Sequence, residues 1–441
     1  MYNKDIESLP LEKLRTLQSE RLVGMLQRQY KNVPFYKKQF DEAGIDINKI
    51  KRIEDIHKLP FTLKTDLRDN YPYQLSTVPE SQFARIHASS GTTGKPTVVT
   101  YTKNDLAIFT EVVARSLYAA GARPGMKIHN AYGYGLFTGG LGVHDGATEL
   151  GMGVIPVSGG MTERQLMILQ DFKPDVITCT PSYAQTLAEQ CKLKGIDTSD
   201  LQVKFAVIGA EPWTEAVRQD IEKGLQVQAT NIYGLSEIIG PGVSQEDVDE
   251  KGTGSYVWED HFYPEIVDKD TKEPLPYGEE GVLVFTTLTK EAMPFCRYWT
   301  NDICTLQYDP NSKRSHIKMG SIKGRADDML IIRGVNLFHT QIEDVLLDVE
   351  NLAAQYQLVV ENTGRMDTVL VKVEKEATFQ THYNTLSTTR KNELDAELSN
   401  KLIKKIKDNV GLSMKVEVVN SGDIPRSAGG KLSRILDLRK S

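Results

Sequence analysis

Five short stretches of the sequence carry residue types suited to handling a polyphosphate and a carboxylate. The first is Ala88-Ser89-Ser90-Gly91-Thr92-Thr93-Gly94-Lys95-Pro96. Its glycines let the main chain approach phosphate closely, its four hydroxyls donate hydrogen bonds, and Lys95 adds positive charge. A P-loop is ruled out, because that motif needs Gly where Ser89 stands and Ser or Thr where Pro96 stands. The same residues would also make a plain polar turn between strands. The second stretch is Thr230-Asn231-Ile232-Tyr233-Gly234-Leu235-Ser236-Glu237. Tyr233 can stack on an adenine face and Glu237 can hold Mg²⁺ on phosphates, although such turns are common without either role. Upstream, Gly209-Ala210-Glu211-Pro212 closes an apolar run, where α/β sheets place ligands, and would equally serve as a strand-to-helix turn. The third stretch, Arg297-Tyr298-Trp299-Thr300-Asn301-Asp302, offers in Asp302 either an acceptor for two ribose hydroxyls or a solvated turn residue. The fourth runs from Gly324 through Arg325, Asp327, Arg333 and Gly334 and is either a charged linker or a working junction. In the fifth, Ile424-Pro425-Arg426-Ser427-Ala428-Gly429-Gly430-Lys431, proline and two glycines shape a loop that can aim Lys431 at a distant anion, where the plainer alternative is a mobile tail lysine.

These stretches need elements to hold them. Leu11, Leu14, Leu17, Leu22 and Leu26 fall at near-helical spacing over residues 11–30 and predict an amphipathic helix. From about 85 to 290, apolar runs such as Asp175–Cys179 and Phe205–Ile208 alternate with helical stretches, among them Thr214–Gly224. That alternation predicts an α/β architecture with a largely parallel sheet. Gly281–Thr287 reads as a strand of a more β-rich region. After about Gly324 the order becomes strand (Met329–Ile332), helix (Gln341–Asn351), two strands (Leu358–Val360 and Thr368–Val373), helix (Asn392–Asn409) and a last strand (Val416–Val419). This order suits a small α+β lid. The expectation is therefore two domains, 1–326 and 327–441, with mixed sheets and flanking helices in the first.

The 441 residues include 53 Lys+Arg and 59 Asp+Glu, a net charge of −6. A nucleic-acid binder would show a basic excess, and none exists. No apolar run approaches the ~20 residues of a membrane helix, and the charged first residues hold no secretory core. Cys179, Cys191, Cys296 and Cys304 form no CxxC pair, so they read as reduced thiols of a cytoplasmic protein without membrane or nucleic-acid partners. Cys296 and Cys304 have the wrong spacing for zinc.

In this order and at these separations, the five stretches resemble the adenylate-forming superfamily of acyl- and aryl-CoA synthetases, luciferases and peptide-synthetase adenylation domains. The resemblance runs from about residue 85 to the end. It is closer to the phenylacetate–coenzyme A ligases, which are similar in Asn32–Tyr36, in Leu59-Pro60-Phe61-Thr62-Leu63-Lys64-Thr65-Asp66-Leu67-Arg68, in Ala131–Gly140 and in Val335–Glu343. The resemblance implies that Ser90, Gly91, Thr92, Thr93, Gly94 and Lys95 grip the triphosphate of ATP, with Glu237 on Mg²⁺. Gly209, Ala210, Glu211, Tyr233 and Gly234 would hold adenine, Asp302 the ribose, and Arg325 ribose or phosphate. Lys431 would stabilise the adenylation transition state, Asp327 would be the hinge, and Arg333, Gly334 and the residues up to Asn336 would serve the coenzyme A channel.

The implied reaction has two halves. A carboxylate displaces pyrophosphate from ATP, and a thiolate then takes the acyl group from the adenylate. Tyr132, Tyr134 and Phe137 lie among glycines 133, 135, 139, 140 and 142, so flat rings can border a slot for a small aromatic acid, with Gly139 lining it; rings packed into a core are the alternative. Three departures stand out. Ser315–Lys323 lacks the cysteines with which many relatives bind zinc, so no structural zinc is expected. Tyr-Trp-Thr-Asn-Asp replaces the usual basic second residue of the ribose motif. An extra residue precedes Lys431. Delivery to a carrier-protein thiol stays open, as does the choice among phenylacetate, indoleacetate, hydroxyphenylacetate and benzoate. A non-catalytic nucleotide-binding regulator would need a broken motif, and Lys431 and Glu237 are both present. A homodimer is compatible with the resemblance.

Overall fold

The computed structural model describes residues 1–89, 96–327, 330–332, 335–363, 366–426 and 434–440. Its larger part is organised on one twelve-stranded sheet that changes character midway. Gly153–Ile155, Lys127–Asn130, Val176–Cys179, Phe205–Gly209 and Gln228–Leu235 pair in parallel, in that spatial order. Beyond Gln228–Leu235 the neighbours Gly240–Glu246, Ser255–Val257, Lys318–Met319, Tyr298–Gln307, Glu280–Thr287 and Phe262–Val267 are antiparallel. The central parallel strands Val176–Cys179 and Phe205–Gly209 are buried along nearly their whole length, as strands covered on both faces must be. That is why they appear in the sequence as unbroken apolar runs.

The covering helices are set by local signals. Pro181–Lys194 begins at Thr180, whose hydroxyl accepts from Tyr183 N, has Pro181 in its first turn and ends at Gly195 with φ of 67°. Each feature satisfies or removes an orphan main-chain group. Glu215–Leu225 is capped the same way by Thr214, and its four-residue spacing of Val217, Ile221 and Leu225 buries one face against Ile208 and Leu187. The expected first helix spans Leu11–Asn32 and ends where Pro34 follows.

The C-terminal part has its own core. Leu330–Ile332 and Val335–Leu337 form a hairpin, and His339–Leu347 is a helix. Leu352–Thr363 and Met366–Lys375 pair antiparallel, flanked in parallel by Ile435–Asp437 and Lys415–Val419 respectively. Leu398, Leu402 and Ile406 of the helix Thr388–Val410 pack with Tyr356, Leu358, Val360, Val371 and Val373. Two sequence expectations shift here. The strand at Val416–Val419 is not the last, since the three residues Ile435–Asp437, too few to show a pattern, add another edge to the sheet. The helix expected at Gln341–Asn351 starts earlier and stops at Leu347, after which the chain tightens into turns (Val349 N to Leu346 O, Leu352 N to Val349 O) and Asn351 takes a left-handed φ of 71°.

Candidate active site

Asp302 sits within the strand Tyr298–Gln307, opposite Arg325 of the short strand Gly324–Arg325. Tyr233, from the strand at the parallel-to-antiparallel switch, donates its hydroxyl to Asp302 Oδ2 at 2.6 Å. That length is typical of an O–H donor to a carboxylate. Arg325 Nη1 lies 3.4 Å from Asp302 Oδ1. Burial, then the Asp302 charge, raises the Tyr233 hydroxyl well above its ordinary range, so it stays a donor. One face of the Tyr233 ring stacks on Phe285, with centroids 6.1 Å apart. Arg325 also grips Asp327 through Nε (2.9 Å) and Nη2 (2.8 Å), and Asn301 Nδ2 donates to Asp327 at 3.2 Å. Tyr233, Asp302, Arg325 and Asp327 thus form one connected group.

Glu237 lies in the turn of the hairpin formed by Gln228–Leu235 and Gly240–Glu246, and its side chain is buried. Lys64 Nζ is 4.0 Å from Glu237 Oε1. Lys64 is brought there by the segment before it. Arg297 donates to the carbonyls of His57 (3.0 Å) and Leu59 (2.8 Å) while paired with buried Glu265, and Thr62 N bonds Arg297 O. Behind Glu237, buried Lys290 donates Nζ to the Glu237 main-chain oxygen at 3.0 Å. Burial lowers Lys290 to about 8, against the charges of Asp105 and Glu237. The segment around Lys64 entered the sequence reading only as a resemblance, and Lys290 did not enter it at all. A lysine between Thr289 and Glu291 looks like any solvated residue until the fold buries it.

No group of three or more His, Cys, Asp or Glu able to hold a metal occurs among the described residues. The single carboxylate of Glu237 suits Mg²⁺ nonetheless, since that ion takes one or two carboxylates and completes its octahedron with phosphates and water.

Gly209 ends its strand against Ile232, and a Cβ there would stand 2.2 Å from Ile232 O. Ala210 turns away with φ of 73°, and Glu211 accepts from Ser182 Oγ at 3.0 Å. Ser90, Gly91, Thr92, Thr93, Gly94 and Lys95 lie outside the described residues, but their flanks are joined, because Ser89 pairs with Thr97 in an antiparallel ladder. Arg333, Gly334 and Lys431 also lie outside them. The flanks of Lys431 are fixed by buried carboxylates that the sequence reading did not single out. Arg426 forks onto Glu374 at 2.7 Å through both terminal nitrogens, and Arg434 Nη2 lies 3.4 Å from Glu343.

The aromatic stretch differs from a simple ring-lined slot. Tyr132 is buried in the main core, Tyr134 is half-buried with its hydroxyl bonded to Asn130 Nδ2 (2.9 Å) and His144 Nδ1 (3.2 Å), and Phe137 is 50% exposed. The glycines also divide. A Cβ on Gly140 would stand 2.5 Å from Gly133 O and one on Gly142 2.3 Å from the Phe109 ring, so the chain itself fills that space. Gly133 and Gly135 face open space, and a Cβ on Gly139 would make an ordinary 3.5 Å contact with Tyr132.

The profile described as "AMP-binding enzyme" matches residues 11–289, and that described as "AMP-binding enzyme C-terminal domain" matches 334–439. The chain is 58% identical over 445 residues to a phenylacetate-coenzyme A ligase of Thermus thermophilus, covering 100% of both chains. Among solved structures it is similar to a 2-hydroxyisobutyryl-CoA ligase in the postadenylation state in complex with R3-HIB-AMP. That match has a TM-score of 0.90 and 25% identity and covers 99% of this chain and 92% of the other. Against the same ligase with 2-HIB-AMP and CoA in the thioesterification state the TM-score is 0.72, at 26% identity and 98% and 91% coverage. The chain therefore superposes better on the postadenylation structure than on the thioesterification one. No helix among the described residues is long and apolar enough to cross a membrane.

Proposed function

This chain belongs to the AMP-binding enzyme family, and on that premise we propose that it joins phenylacetate to coenzyme A through a phenylacetyl-adenylate. The observation that carries the choice of acid is the 58% identity, end to end, with a phenylacetate-coenzyme A ligase. In the first half-reaction the phenylacetate carboxylate, ionised at neutral pH, attacks the α-phosphorus of ATP. The bond to the bridging oxygen breaks and pyrophosphate leaves. In the second, the coenzyme A thiolate attacks the acyl carbon, the carbon–oxygen bond of the mixed anhydride breaks, and AMP leaves.

Asp302 takes the ribose hydroxyls. The Tyr233 hydroxyl and Arg325 both donate to its two oxygens and so orient it. The face of the Tyr233 ring turned away from Phe285 meets the adenine beside Gly209–Glu211. Residues Ser90 to Lys95 grip the triphosphate, and Lys64 brings a further positive charge to the Glu237 carboxylate. Mg²⁺ held by Glu237 on the phosphates would neutralise the charge that develops as pyrophosphate leaves. Lys431 stabilises the same transition state from the C-terminal part, which turns about Asp327 for the second half-reaction and presents Arg333–Asn336 to the pantetheine. The reaction proceeds in the cytoplasm, where four buried thiols stay reduced.

The test is kcat/KM for phenylacetate, indole-3-acetate, benzoate, hexanoate and octanoate, read as AMP released with coenzyme A present. Ring stacking and the smaller loss of rotor freedom favour an arylacetate by roughly 10- to 100-fold over a linear acid of similar size. Octanoate equal to or better than every aryl acid would refute the assignment of the acid while leaving the adenylation chemistry in place.

A further inference from the structure

Lys290 follows the strand Glu280–Thr287 and is 3% exposed. Its Nζ lies 4.9 Å from the centroid of Tyr101 and 5.5 Å from that of Phe295. An apolar side chain would fill this place without the cost of burying a charge. Among the described residues no carboxylate lies within ion-pair distance of it, and the recorded hydrogen bond runs to the main-chain oxygen of Glu237. The turn that carries Glu237 has a second support. Tyr101 donates its hydroxyl to Ile239 O at 2.9 Å and reaches Ser236 O at 3.3 Å. Tyr101 ends the strand Thr97–Tyr101, which leads out of the glycine-rich stretch. Lys290 is itself held, because Asp105 accepts from the main-chain nitrogens of Glu291 (2.6 Å) and Ala292 (2.9 Å).

We propose that Lys290 is a positioning residue for the nucleotide–cation step. Its buried ammonium grips the Glu237 carbonyl and so fixes the carboxylate that faces the metal. Tyr101 holds the same turn from its other end. This rests on the reading of Glu237 as the cation ligand, and the test separates the two.

Mn²⁺ binding to the complex of the full chain with ATP, without any acid, is followed by electron paramagnetic resonance for wild type, Glu237→Gln, Lys290→Met and Tyr101→Phe. In parallel, thioester formation is measured from supplied phenylacetyl-adenylate, a step that uses no triphosphate. Losing a charged hydrogen bond to the turn weakens Mn²⁺ binding about tenfold in Lys290→Met, and losing a neutral one weakens it about threefold in Tyr101→Phe. Both variants keep the wild-type rate with supplied adenylate. If Glu237→Gln binds Mn²⁺ as wild type does, the reading of Glu237 fails and the role of Lys290 with it. If Glu237→Gln is weakened but Lys290→Met is not, Lys290 alone is excluded. Equal losses of metal binding and of the supplied-adenylate step in Lys290→Met would mark it as general packing and overturn the proposal. Should Lys290→Met not fold, Tyr101→Phe decides, and wild-type metal binding there would overturn it.

Discussion

The two parts of the molecule hold their working groups in different ways. In the larger part, Asp302 and Tyr233 are fixed by strands of one continuous sheet, so their meeting is a consequence of register. In the C-terminal part, Lys431 lies between two arginines, and each is anchored to a buried carboxylate, Glu374 or Glu343. On the proposed reading, a ribose site used in both half-reactions would gain from rigidity, and a lysine used in one would need defined flanks and a body able to move away as a unit. Sheet register supplies the first, and a separate small core with its own ion pairs supplies the second.

The largest expected effect breaks the comparison on the C-terminal side. Lys431→Ala should lose ~3–4 kcal/mol of transition-state stabilisation, or ~10²–10³ in the rate of adenylation. Thioester formation from supplied adenylate should hold. Rapid-quench measurement of each half-reaction checks this, and equal losses in both would show that the lysine does not belong to one step alone.

The anchors can be tested through pH. Burial, opposed by Arg434, raises the Glu343 carboxyl from 4.5 to about 7. The folded state therefore holds this proton more tightly than the unfolded chain does. The stability it contributes is complete below about 4.5 and is lost as pH rises through about 7. The span corresponds to a contribution on the order of 3 kcal/mol. Protection factors in the strand Leu352–Thr363, corrected for the intrinsic rise of amide exchange with pH, should fall over that window in wild type and stay flat in Glu343→Gln. Parallel pH profiles for the two proteins would mean that Glu343 does not set this dependence.

On the large-part side, Asp302→Asn removes a charged acceptor from the Tyr233 hydroxyl and from Arg325 and, on the proposed reading, from the ribose. Hydrogen bonds to charged groups contribute about 1.5–3 kcal/mol, so KM for ATP should rise by roughly 10- to 100-fold. KM for phenylacetate should move little. A loss confined to the acid would place Asp302 elsewhere in the chemistry.

How far the sequence foretold these groups depended on how local their causes are. Apolar runs such as Val176–Cys179 are written in neighbouring residues and were legible. The types of Tyr233 and Asp302 were legible too, but their contact joins positions 69 residues apart and needs the register of several strands. Glu374 and Glu343 look like solvated acids in sequence. Their burial depends on arginines 52 and 91 residues away. The glycines between Tyr132 and Gly142 allow in sequence either a slot or rings packed into a core, and a Cβ on Gly140 or Gly142 would meet the Gly133 carbonyl or the Phe109 ring. A missing side chain in sequence does not say whether substrate or protein fills the space.

The smallest expected effect lies between the two parts. Lys192 of the helix Pro181–Lys194 pairs with Glu376, and Glu189 of the same helix lies 3.5 Å from Arg426. Both contacts join the large part to the C-terminal part in the arrangement that resembles the postadenylation state, so removing either should favour departure from it. The Lys192 side chain is 59% exposed and that of Glu376 38%, and a pair this open contributes about 0.2–1 kcal/mol. Lys192→Ala should therefore slow adenylation by no more than about fivefold and leave thioester formation from supplied adenylate equal or slightly faster. Added salt screens the wild-type pair, so the difference between the two proteins should shrink as ionic strength rises. Half-reaction rates at low and high salt check this. A Lys192→Ala protein slowed in thioester formation, or a difference that grows with salt, would show that the pair does not favour this arrangement of the two parts.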